Sequence, residues 1–170
     1  WSITSDALDY ALELSGIQKT NNMKQRLLEF YKELDAFPDV KDVLKELKDR
    51  GIKIIVLSNG TRKMLESAIY TAKIKEYIDI ILSVDEVSVF KPDRRVYSMV
   101  TERLSVKRNE VFFVSSNGWD IVGADRFGFK TFWVNRQDLP TERLGGKPFY
   151  IGKDLTSVTD YLNTSRTDEV

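Results

Sequence analysis

An α/β fold with a mostly parallel sheet is what this sequence predicts, and two patterns predict it. Short apolar runs alternate with amphipathic stretches at a spacing of roughly 20–30 residues, the signature of βαβ units. The runs also end in small polar residues. Ile54 to Leu57 leads into Ser58-Asn59-Gly60, and Val111 to Val114 leads into Ser115-Ser116-Asn117-Gly118-Trp119-Asp120. Such short apolar runs suit strands buried on both faces. In open α/β sheets, ligands sit beyond the carboxyl ends of the strands. Right-handed crossovers place the loops after Leu57, Val84, Val114 and Val134 at one end.

Taken in order, Ser5 to Ser15 reads as a helix. Ser5 is its expected N-cap, Leu8, Ala11, Leu12 and Ser15 share a face, and Gly16 is its stop. A second helix runs from about Asn22 to about Asp35, with Met23, Leu27, Phe30, Tyr31 and Leu34 on its apolar stripe. The two suit a helical hairpin. Phe37-Pro38-Asp39 breaks the pattern and marks a hinge between subdomains. Val40, Val43, Leu44 and Leu47 then repeat at i, i+3, i+4 and i+7, an amphipathic helix ending at Gly51. Lys41, Lys45 and Lys48 form its solvated side. The strand Ile52 to Leu57 follows, then a helix carrying Met64, Leu65, Ala68, Ile69 and Ala72, then a strand over Ile78 to Val84. Lys91-Pro92-Asp93 opens another helix, with Pro92 near its first turn and Val96, Tyr97, Val100 and Leu104 facing inward. After the strand Val111 to Val114, a helix from Trp119 to Phe127 stops at Gly128. Thr131 to Val134 is a further strand, Phe149 to Ile151 a short one, and Leu155, Val158 and Leu162 mark a last helix. Thr164 to Val170 is polar and expected to fray.

Composition narrows the function. The 170 residues suit one domain with a small subdomain. With 42% apolar and 31% charged residues, the chain can build a core and is not a disordered one. Lys plus Arg equals Asp plus Glu at 26 each, which argues against a nucleic-acid binder resting on a basic field. Without cysteine there is no disulfide, thiolate metal site or thiol nucleophile. Without histidine, acid–base chemistry falls to carboxylates, lysine or tyrosine. No apolar run approaches the roughly 18 residues of a membrane helix, and no signal peptide is read. The expected setting is cytoplasmic.

Four groups converge on the loop end: Ser58 with Asn59, Lys91 with Tyr97, Ser115 with Asn117, and Asp120. Hydroxyls, amides and backbone N–H groups at a helix start bind anions. Lysine adds a full charge, and Asp120 can orient or deprotonate a water. The set suits displacement or hydrolysis on an anionic substrate, yet it lacks an obvious nucleophile. Plainer readings stand beside it. Either Ser-Asn-Gly loop alone suits a turn or N-cap. Asp120 suits an N-cap, Tyr97 suits packing with its hydroxyl at the rim, and Trp119 suits a core position. Lys91 completes no helical stripe and is the hardest to read in this way.

The blocks LSNG (Leu57 to Gly60), SVDEVSVFKPDRRVY (Ser83 to Tyr97) and FVSSNGWDIVGADRFGFKTFWVNR (Phe113 to Arg136) resemble the haloacid dehalogenase superfamily. Within it they resemble the type II L-2-haloacid dehalogenases, from Trp1 to about Asp154. The resemblance implies a Rossmann-like core with helices on both faces and a helical cap. It divides the chain into an incomplete cap subdomain (1–36), a core lacking its first strand (37–163) and a polar tail (164–170). It implies (S)-2-haloacid hydrolysis: an aspartate on the first strand attacks the substrate carbon, expels halide and leaves an ester that water cleaves. No cofactor is implied, and a homodimer is common in the family.

The resemblance also implies roles. Ser58 holds the substrate carboxylate, Asn59 lies near the departing halide, and Trp119 walls the pocket. Lys91 neutralises the nucleophile and the developing charge, Tyr97 supports the acidic loop, and Ser115 holds the nucleophile. Asn117 and Asp120 position and activate the hydrolytic water. In phosphatases of the superfamily an aspartate pair after the fourth strand holds magnesium. Here that place is Ser115, and a hydroxyl is a poor ligand for a hard cation. A metal-free carbon–halogen hydrolase is therefore expected over a phosphatase with an altered metal site. A non-catalytic binding or assembly module of the same fold is the other alternative. The nucleophile strand and a halide-binding arginine are expected before Trp1, so the 170 residues alone are expected to be inactive. In the implied sheet order that strand lies between the ones ending at Val114 and Leu57, so those two should not pair.

Overall fold

The computed structural model describes residues 1–18 and 20–164. Among them the order is α1 (Ser2–Leu14), α2 (Asn21–Phe30), α3 (Val40–Asp49), β1 (Ile55–Ser58), α4 (Arg62–Thr71), β2 (Ile80–Ser83), α5 (Arg94–Leu104), β3 (Phe112–Ser115), α6 (Gly118–Phe127), β4 (Lys130–Val134), β5 (Tyr150–Gly152) and α7 (Thr156–Thr164). All strand pairing is parallel, as the βαβ reading expects. β1 pairs with β2 from Ile55↔Ile80 to Ser58↔Ser83. β3 pairs with β4 from Phe112↔Lys130 to Ser115↔Trp133, and β4 with β5 from Phe132↔Tyr150 to Val134↔Gly152.

The sheet is in two pieces, β1-β2 and β3-β4-β5; β1 and β3 form no ladder among the described residues. One core nevertheless spans both. Leu82 of β2 packs in the same cluster as Phe113 of β3, Trp133 of β4, and Tyr97, Ile121 and Phe127 of the flanking helices, with Ile55 and Leu57 against it. A second cluster of Phe132, Val134 and Val158 lies under α7.

Element boundaries shift from the sequence reading for local reasons. α1 begins before Ser5, because the Ser5 amide already bonds to the Trp1 carbonyl at 3.0 Å. Its cap position is Trp1, not Ser5. α2 starts under a Thr20 cap whose hydroxyl accepts the Met23 amide. It stops at Phe30 rather than near Asp35. Lys32 and Glu33 bond back only three residues, and the Lys32 carbonyl is taken by the hydroxyls of Ser67 and Thr71 on α4. β1 starts late because Ile52 still closes the end of α3 on the Leu47 carbonyl, past a left-handed Gly51. β2 is trimmed at both ends by 3-10 turns, Lys75–Tyr77 before it and Val84–Glu86 after it. Pro92 sits ahead of α5 instead of in its first turn; Asp93 is the cap, accepting the Arg95 amide at 2.9 Å. α6 ends as expected on a left-handed Gly128. Residues 165–170, most of the expected polar tail, lie outside the described residues.

The hinge stretch is anchored firmly to the core. Asp39 accepts Arg136 at 2.8 and 3.1 Å and the Leu155 amide at 2.7 Å. The Arg136 guanidinium also lies 4.1 Å from the Phe37 ring centre. Burial pushes the Asp39 carboxyl up, but the bonds to Arg136 and Leu155 outweigh it and hold it below the usual range.

Candidate active site

Asp120 is the centre of the loop end. It lies in the first turn of α6 with its side chain only 5% exposed. Both carboxylate oxygens are engaged. Oδ1 accepts the Tyr97 hydroxyl at 2.9 Å. Oδ2 accepts the Lys91 ammonium at 2.9 Å and the Ser115 hydroxyl at 3.0 Å. The N-cap reading of Asp120 therefore falls, since the cap position belongs to Asn117. A buried charge needs a charged partner and hydrogen bonds, and these three groups supply them.

Lys91 joins the two halves of the sheet. Its ammonium, on a side chain 7% exposed, reaches Asp120 beyond β3. Its backbone amide donates to the Asn59 side-chain carbonyl beyond β1 at 2.8 Å. The ring of Phe113 lies 5.0 Å from the ammonium. Burial pushes the lysine below its ordinary value, and the Asp120 charge and hydrogen bond pull it back only in part. An ammonium carries three donors. Asp120 uses one, which leaves donors for an incoming carboxylate.

Tyr97 is fully buried, so its hydroxyl is not at a rim. Burial raises its pKa above the ordinary tyrosine value, and the neighbouring Asp120 charge raises it further. It stays protonated and serves as a fixed donor. Asn117 joins the group through its backbone N–H, which donates to Ser115 Oγ at 3.2 Å. Ser58 sits at the end of β1 and accepts the Gly60 amide at 3.1 Å. Trp119 is 37% exposed beside Asp120, which rules out the core reading.

Several supporting residues escaped the sequence reading. Gly123 is one: a Cβ there would come within 2.4 Å of the Tyr97 hydroxyl and 2.8 Å of Pro92. A glycine inside a helical pattern is the signal that could have found it. Ser83 donates to the Gly60 carbonyl at 2.8 Å, and Asp85 accepts the Arg62 amide at 3.1 Å, locking the loops after β1 and β2 together. Trp133 donates its indole N–H to the Ser116 carbonyl at 3.1 Å. Inside an apolar strand pattern, neither Ser83 nor Trp133 announces a polar role.

Chemically, the site offers a buried cation, a hydrogen-bonded carboxylate and hydroxyls at the carboxyl ends of β1 and β3, between which no ladder forms among the described residues. Among the described residues, no three carboxylate, cysteine or histidine side chains gather as a metal cluster. No described helix is long and apolar enough to cross a membrane.

Comparison with known proteins gives the same direction. Residues 6–134 match the family of haloacid dehalogenase-like hydrolases. The (S)-2-haloacid dehalogenase 1 of Pseudomonas sp. (strain CBS-3) is 46% identical over 142 residues, 84% of this chain and 63% of that protein. The chain thus spans under two thirds of that relative's length. A crystal structure of an L-2-haloacid dehalogenase superposes with a TM-score of 0.91 at 36% identity, covering 96% of this chain and 72% of that one. The L-2-haloacid dehalogenase of Xanthobacter autotrophicus, with chloropropionic acid covalently bound, superposes with a TM-score of 0.84 at 30% identity, covering 96% and 75%.

Proposed function

The chain belongs to the haloacid dehalogenase-like hydrolase family, and from that premise we propose that it forms the core of an (S)-2-haloacid dehalogenase. The observation that carries the reading is Lys91, a buried ammonium held between the loops of two strands that do not pair with each other. A strand carrying an aspartate between β1 and β3 would present its carboxylate to that ammonium. We assign Asp120 to the water and not to the attack: Oδ2 already accepts two donors, while Oδ1 accepts one and keeps a lone pair for a water proton.

In this mechanism the added carboxylate attacks C2 of a short 2-haloacid. The carbon–halogen bond breaks as the carbon–oxygen bond forms, and halide leaves with the electron pair. Ser58 and Lys91 offset the negative charge of the substrate, with Asn59 near the halide and Trp119 as a wall. Ser115, whose one O–H is given to Asp120, holds the carboxylate that acts on water. Water, oriented by Asn117 and deprotonated toward Asp120, then attacks the ester carbonyl and releases the 2-hydroxyacid. Ser115 where a phosphatase would place a carboxylate, together with a lysine supplying the positive charge, supports a reaction that needs no metal ion. On this reading residues 1–36 are part of a cap, and the 170 residues do not turn over by themselves. The exposed apolar side chains of Ile3, Tyr10 and Leu14 on α1, with Ile17 beyond it, support a covering partner such as a second copy.

The test is halide release from L-2-chloropropionate by a strand-completed protein, made by joining the chain behind a segment that supplies the aspartate-bearing strand. Release in excess chelator is the expected result. Dependence on magnesium, or phosphatase activity in its place, would overturn the reading.

A further inference from the structure

The ladder of β3 ends at the pair Ser115↔Trp133, so the Ser116 carbonyl has left the sheet. The indole of Trp133, buried at 3% exposure, supplies its donor at 3.1 Å. That carbonyl and the Asn117 amide belong to one planar peptide unit. The Asn117 amide donates to Ser115 Oγ at 3.2 Å, and Ser115 Oγ donates to Asp120 Oδ2 at 3.0 Å. Each donor therefore hands on to the next acceptor in a single direction: indole N–H to carbonyl, amide N–H to hydroxyl, hydroxyl to carboxylate. Bonds arranged head to tail polarise and strengthen one another. The geometry points to Trp133 as a positioning residue: its indole N–H fixes the Ser116–Asn117 peptide plane, and through it the Ser115 hydroxyl on Asp120.

A tryptophan in a strand facing the core needs no hydrogen bond to fill space, and a phenyl ring fills most of the same volume. What phenylalanine lacks is the donor. Without it the peptide plane is free to turn, and with it turn the Asn117 amide and the Ser115 hydroxyl. The consequence for chemistry rests on the function proposed above, in which Asn117 and Asp120 act on the ester and not on its formation.

The experiment compares Trp133→Phe with the parent in the strand-completed protein, by two readouts. Hydrogen exchange at the Asn117 amide should accelerate about tenfold, while Phe113 and Val114 within β3 keep their rates. Single-turnover kinetics with L-2-chloropropionate should show ester hydrolysis slowed several-fold, with ester formation unchanged. Unchanged exchange at Asn117 overturns the positioning role, whether or not the protein releases halide. Equal slowing of both chemical steps, or faster exchange throughout β3, reduces Trp133 to packing and also overturns it. A parent protein that releases no halide counts against the proposed function alone, and the exchange readout still decides this inference.

Discussion

The loops after β1 and β3 look alike in sequence, since both contain Ser-Asn-Gly, yet the structure pairs them one residue out of step. Ser58 closes on the amide two residues on, that of Gly60. The residue that does this after β3 is Ser115, closing on Asn117, and not Ser116. Ser58 therefore corresponds to Ser115, each the last residue of its strand. The two then diverge. Ser115 donates its hydroxyl hydrogen bond to a buried carboxylate. In the β1 loop it is the Asn59 side-chain carbonyl that is used, accepting the Lys91 amide. One turn geometry thus gives a loop with a buried carboxylate on one side and a neutral, half-buried loop on the other, and Lys91 is held by both. That division matches the proposed labour: substrate and leaving group on the β1 side, water on the β3 side.

The largest expected effect comes from breaking the link itself. Lys91→Ala in the strand-completed protein should slow ester formation by about 2–4 kcal/mol, on the scale of a lost oxyanion donor. Rapid-quench detection of the ester checks this; an unaltered rate would remove Lys91 from the attack. Next, the two serines should differ in stability. Ser115→Ala deletes a bond to a charged acceptor and should cost about 1.5–3 kcal/mol, while Ser58→Ala deletes a neutral one and should cost about 0.5–1.5 kcal/mol. Urea unfolding measures both, and equal costs would erase the distinction between the loops. Gly123→Ala should cost about 1–3 kcal/mol by overpacking against Tyr97, with thermal unfolding as the check. Smallest is the pH effect. Because burial holds Lys91 below the ordinary lysine value of 10.5, its charge is lost as pH rises through that lowered value. The alkaline limb of ester formation should fall below pH 10.5, and a rate flat past that point would contradict it.

Much of this was legible in the chain because short apolar strands and periodic helices leave strong local signals. Lys91 stood out because it completes no apolar stripe, and it proved to be the bridge. The parallel pairing and the separation of β1 from β3 also follow the sequence reading. Strand ends did not: Ile52, Ile78 and Val84 are apolar enough for strand, but their amides or neighbours close helical turns. The end of α2 was hidden because Leu34 continues the stripe, whereas a tertiary contact to the Lys32 carbonyl unwinds the helix. The indole bond of Trp133 and the close approach at Gly123 depend on neighbours more than fifteen residues away, which no local pattern carries.

The division of labour between the two loops is tested most directly by Asp120→Asn in the strand-completed protein, mixed with L-2-chloropropionate and followed by intact-protein mass spectrometry. An amide keeps much of the shape but cannot take the proton of the attacking water. Attack should proceed and the ester should accumulate as a mass increase on the added strand. No accumulation, with attack slowed as much as in Lys91→Ala, would contradict the division of labour between the two loops.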